Sequence, residues 1–114
     1  MKSFIEYEKD SNHTLITITT DTIDLMKSPK LSKEILTLLK DLNYPDLIID
    51  LVNVEYINSA GLGCLVGINN ELKEHNKKLF YVCNNEKVLK IINITGVSKI
   101  LTIYSTTNEA IDNL

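Results

Sequence analysis

At 114 residues the chain has the length of one domain, enough to bury roughly two-thirds of its unfolded surface. Its hydrophobic content of 44% and charged content of 24% are those of a globular protein. The net charge of −3, with basic residues scattered among acids, excludes the basic stripe that nucleic-acid binding requires.

No apolar run approaches the length of a membrane span, and the opening MKSFIEYEKD lacks a signal-peptide core. A soluble, cytoplasmic chain without membrane insertion is therefore expected. Cys64 and Cys83 each lie within an apolar segment, at neither redox nor zinc spacing, and read as buried, reduced thiols. His13 and His75 are isolated, so no metal site is expected.

Phe4 to Glu8 and Thr14 to Thr19 alternate apolar and polar residues, as two half-buried strands joined by a hairpin loop at KDSNH. Ser28-Pro29 reads as a helix start, with serine as N-cap and proline at the first helical position. Leu31, Ile35, Leu38, Leu39 and Leu42 follow helical spacing up to the stop at Asn43-Tyr44-Pro45-Asp46. Leu47 to Val52 reads as a strand buried on both faces.

A helix is expected from about Ser59 to His75, a buried strand over Leu79 to Cys83, and a short helix over Asn85 to Ile94 ending at Thr95-Gly96. Ile100 to Tyr104 gives a last strand, and Thr107 to Leu114 a closing helix. The order β-β-α-β-α-β-α-β-α predicts a single α/β domain over residues 1–114. It has an N-terminal hairpin and a mainly parallel sheet of four to five strands packed with about four helices.

Three of the four glycines fall within Gly61 to Gly67, directly after the strongest strand pattern. Their spacing, G-x-G-x-x-x-G, is one residue too long for a dinucleotide fingerprint. The next strand ends in Cys83-Asn84-Asn85, without a ribose-binding acid. No GKS or GKT follows, so a P-loop is excluded and no cofactor is expected. A serine-hydrolase elbow fails as well, because Ile57 stands where its first glycine belongs. The chain does not read as an enzyme.

On a helical wheel Gly61, Cys64, Leu65, Ile68 and Leu72 form the core stripe. Ser59, Leu62, Gly63 and Val66 fall on another side, continued by Asn69, Asn70 and Lys73, which is expected to face water. That side is either a small docking patch or a surface covered by loops or a neighbouring helix. Either Asn58 or Ser59 can serve as N-cap.

The segment LIIDLVNVEYINSAGLGCLVG (47–67) resembles the signature of STAS domains, specifically the bacterial anti-sigma factor antagonists. Ile94 to Leu101 is similar to the family's turn before its last strand, and Thr19 to Asp24 to an acidic segment in which Asp24 matches the family acid. The resemblance implies that Ser59 is phosphorylated by a partner that is both serine kinase and anti-sigma factor. It further implies that a PP2C-type phosphatase resets the phosphorylated form.

Asp24, Asn58, Ser59, Gly61, Leu62, Gly63 and Val66 are then the expected partner-binding residues. The alternative is a non-switching STAS module of a signalling or membrane-transport assembly, with Ser59 a plain cap. Three departures from the family pattern stand out. Asn58 replaces the usual acid, Ala60 replaces a second hydroxyl, and Asp21 replaces a strand-end glycine. Nothing in the sequence demands an oligomer, and a monomer is expected.

Overall fold

The architecture follows from strands, whose backbone groups pair only with neighbouring strands, and helices with one oily side each. A computed structural model describes residues 2–114. The strands are β1 (Ile5–Lys9), β2 (Thr14–Ile18), β3 (Thr22–Ile23), β4 (Leu47–Asp50), β5 (Tyr56–Ile57), β6 (Leu79–Val82) and β7 (Thr102–Tyr104). The helices are α1 (Ser28–Asp41), α2 (Ser59–Glu74), α3 (Glu86–Ile94) and α4 (Thr107–Asp112), with a 3-10 turn at Val97–Lys99.

The main sheet runs β1-β2-β4-β6-β7. β1 and β2 form the antiparallel hairpin, Ile5 opposite Ile18 and Lys9 opposite Thr14, and the remaining pairs are parallel. The α/β domain with a hairpin and a mainly parallel sheet is thus the observed one. β3 and β5 form a separate two-stranded parallel sheet, with Thr22 opposite Tyr56 and Ile23 opposite Ile57, which the pattern along the chain does not announce.

Alternation along each central strand sends side chains to opposite faces. Ile16, Ile18, Leu47, Ile49, Leu79 and Tyr81 enter the larger core with the apolar sides of α1, α2 and α3. Ile48 and Val82 point the other way and pack with Ala110 of α4 and the partly buried Leu15, Phe80, Tyr104 and Leu114. The buried Tyr81 hydroxyl donates to the Leu65 carbonyl of α2 at 2.7 Å, so the phenol carries no unpaired polar atom into the core.

Cys64 and Cys83 are buried and reduced. Burial pushes the Cys64 thiol up, against a smaller lowering by Ser32. Burial also raises Cys83, opposed by the Asn85 backbone and reinforced by Asp50.

One cap differs from expectation. Ser28 is the first helical residue of α1 and its hydroxyl does not cap the helix; it donates back to the Asp24 carbonyl at 2.6 Å. The turn actually opens at Asp24, whose Oδ1 accepts the Met26 and Lys27 amides at 3.1 Å each, while the Ser28 amide donates to the Asp24 carbonyl. Pro29 has no N–H for the Leu25 carbonyl, which interrupts this turn before the regular helix begins. At the other end Asn43 and Tyr44 adopt left-handed conformations (φ 59° and 52°) that turn the chain into β4.

Candidate functional site

The C-terminal ends of β3 and β5 lie side by side, so the segments that follow them share one rim of the molecule. After β5 comes Asn58, whose extended backbone and side chain start α2. Its Oδ1 accepts the Gly61 amide at 3.1 Å, and its own amide donates to the Ile23 carbonyl at 3.3 Å. Asn58 is therefore the N-cap, and Ser59 is the first helical residue. The reading of Ser59 as a plain cap is corrected by this geometry: its side chain is exposed, and among the described residues none hydrogen-bonds its hydroxyl.

Gly61 does not lie on the surface as a binding residue would. It is buried against the β3 backbone, and a Cβ there would overlap the Ile23 carbonyl oxygen and sit 2.6 Å from Ile57 Cγ1. Its glycine is what lets the first turn of α2 close onto β3. Leu62, expected to face water, is 4% exposed and belongs to the main core. The reason is geometric. α2 packs against both the sheet and α1, so two of its sides are covered and the wheel's single core stripe understates the buried face. Val66 is partly buried against the same core, which covers one side of it.

Ser59, Gly63 and Gly67 remain exposed at i, i+4 and i+8 along one line of α2, with Asn70 beyond. Nothing lies within 4 Å of a Cβ placed on Gly63 or Gly67, and neither has a positive φ. The fold does not require glycine at either position, although each costs about 0.8–1 kcal/mol of helix propensity relative to alanine.

Across the rim, Asp24 is occupied with the turn that leads into α1, and its partly buried carboxylate holds Leu25 and Met26 outward. These two side chains are 71% and 85% exposed. Leaving large apolar side chains in water forgoes roughly 1.5–3 kcal/mol each relative to full burial. Sequence reasoning missed them because an apolar pair between Asp24 and Lys27 carries no periodicity.

Asp21 keeps its place without a glycine-like conformation. Its backbone φ is not positive, its carbonyl accepts the Glu55 and Tyr56 amides, and its carboxylate lies 3.8 Å from Lys27 Nζ. No acidic residue stands in the first turn of α2, so that helix start carries the usual partial positive charge uncompensated. No helix among the described residues is long and apolar enough to cross a membrane.

Comparison with known proteins accords with this geometry. The STAS domain profile matches residues 4–110. The anti-sigma-B factor antagonist of Listeria monocytogenes is 31% identical over 102 residues, spanning 90% of this chain and 88% of that protein. An anti-sigma factor antagonist from Mycobacterium paratuberculosis superposes with a TM-score of 0.84 at 24% identity, covering 96% of this chain and 91% of that one. SpoIIAA of Bacillus, solved in its phosphorylated form, superposes with a TM-score of 0.68 at 17% identity, covering 96% and 97%. The two structural likenesses speak for the fold, and the profile and the Listeria relative for descent: the chain belongs to the STAS domain family.

Proposed function

We propose that this protein is an anti-sigma factor antagonist whose docking to an anti-sigma factor serine kinase is switched off by phosphorylation of Ser59. The observation that carries the reading is the Ser59 hydroxyl, exposed and uncommitted because Asn58 does the capping. A capping serine would have its oxygen tied to the helix backbone; this one is open to a kinase active site.

The unmodified chain docks through Ser59, Gly63, the exposed part of Val66 and Asn58, with Asp24 shaping the neighbouring Leu25-Met26 turn. The exposed glycines Gly63 and Gly67 let a partner backbone approach α2 closely, which accounts for residues that the fold itself does not need. Transfer of the γ-phosphoryl group from ATP to the Ser59 oxygen adds about −1.5 to −2 charges. At a helix start with no acid in its first turn, that charge is tolerated or favoured by roughly 0.3–1 kcal/mol.

Docking responds in the opposite direction. A solvated dianion beside Leu25, Met26 and Gly63 must be desolvated or repelled, at several kcal/mol, and each ~1.4 kcal/mol is tenfold in affinity. Fold kept and partner lost is the outcome of the switch. A PP2C-type phosphatase hydrolyses the phosphoserine and restores docking. That the Bacillus protein SpoIIAA exists in a phosphorylated form on a similar fold supports the reading.

Titration of the cognate anti-sigma factor kinase with Ser59→Ala and Ser59→Asp tests this. Alanine is expected to bind like the unmodified chain and aspartate at least tenfold more weakly, with both variants folded. Equal affinities for the two would refute the switch.

A further inference from the structure

Met26 is the most exposed large apolar side chain of the described residues, at 85%, and its neighbour Leu25 is 71% exposed. It stands in a turn fixed by backbone groups and the side chains of Asp24 and Ser28, not by its own side chain. The Met26 and Lys27 amides donate to Asp24 Oδ1, and the Ser28 amide and hydroxyl donate to the Asp24 carbonyl. Its thioether therefore has no part in holding the fold, and its sulfur is open to solvent oxidants. The turn follows β3 directly, beside the strand end that leads to Asn58 and Ser59, so its backbone lies on the same rim as the start of α2.

We infer that Met26 is a second, oxidative modification site of the docking face, a reading that rests on the docking role proposed above. Hydrogen peroxide transfers one oxygen to the thioether sulfur. The O–O bond breaks as the S–O bond forms, the sulfide loses two electrons to become a sulfoxide, and the peroxide is reduced to water. The product is polar and larger at the sulfur, in a position that docking must bury. Burial of a sulfoxide without a donor opposite weakens docking about tenfold to hundredfold. Because the turn's hydrogen bonds are all backbone or Asp24 and Ser28 contacts, the fold is untouched.

The test treats the full-length, unphosphorylated chain with hydrogen peroxide. Trypsin releases residues 10–27, in which Met26 is the sole methionine, so mass spectrometry reads this site alone. Met26 is expected to gain one oxygen at about the rate of free methionine, with no change in melting temperature. The cognate kinase should then bind at least tenfold more weakly, and methionine sulfoxide reductase should restore the affinity.

Met26→Leu should bind with the same affinity before and after peroxide, while Met26→Gln should bind weakly without it. Protection of Met26 in the folded chain, or a sulfoxide form that binds as tightly as the parent, overturns the inference and leaves the phosphorylation switch standing. An untreated chain that fails to bind overturns the docking role, and the inference with it.

Discussion

Replacing Gly61 and Gly63 one at a time by alanine makes the same chemical change two residues apart on α2, with opposite expected signs. At Gly61 the new methyl overlaps the Ile23 carbonyl oxygen and lies 2.6 Å from Ile57 Cγ1. The first is a backbone atom of β3, so a rotamer change cannot relieve it. Overpacking costs about 1–3 kcal/mol, and an overlap with backbone belongs at the top of that range. Alanine's helix propensity returns about 1 kcal/mol, leaving a net loss of about 2 kcal/mol. For a chain of 114 residues the entropy of unfolding is about 0.24 kcal/mol/K, so each kcal/mol moves the melting temperature about 4 °C. Gly61→Ala should therefore melt about 8 °C lower.

At Gly63 no atom lies within 4 Å of the added methyl, and only the propensity gain remains, for a rise of about 3–4 °C. Differential scanning calorimetry of the three proteins is sufficient. A Gly61→Ala variant melting at or above the parent would refute the close approach of α2 to β3. Titration of the partner below the melting range should show the converse: Gly63→Ala binds more weakly and Gly61→Ala binds normally.

Asn58→Ala should lose about 0.5–2 kcal/mol by denaturant titration, since it removes the cap on the Gly61 amide, whereas Asn58→Asp should be neutral or slightly stabilising. Ser59→Ala should stay within about 0.5 kcal/mol of the parent in the same assay, because Ser59 caps nothing. Leu62→Ala should cost about 2–5 kcal/mol, as expected for a core residue. Burial holds the Cys64 and Cys83 thiols and the Tyr81 phenol above their ordinary values, Tyr81 most strongly. The unfolded chain releases these protons first, so stability is complete below about pH 8.5 and falls as pH rises through the folded values. The urea midpoint should drop between pH 8 and pH 10, and a flat or rising midpoint would contradict this assignment.

The main sheet was legible because β1 and β2 alternate apolar and polar residues, β4 and β6 are largely apolar, and helices with a clear core stripe separate the later strands. β3 and β5 were not, for each is two residues long and alternation cannot be read over so short a span. The glycines were visible as a group but not by role. Gly61 is required by the Ile23 backbone, while Gly63 and Gly67 face open space, a difference set by tertiary neighbours rather than spacing. A helical wheel places Leu62 outward because it counts one buried stripe, whereas α1 covers a second side of α2. The resemblance singles out Ser59 as the candidate acceptor, but its freedom from capping depends on the extended backbone of Asn58, which sequence alone leaves open.

Incubation of the protein with its cognate anti-sigma factor kinase and ATP, with the product mapped by mass spectrometry, decides whether Ser59 is the switch. One phosphate is expected, on Ser59, with an unchanged melting temperature and release of the kinase. An unmodified Ser59 in a chain that still binds the kinase, or a Ser59-phosphorylated chain that binds as tightly as before, would contradict it.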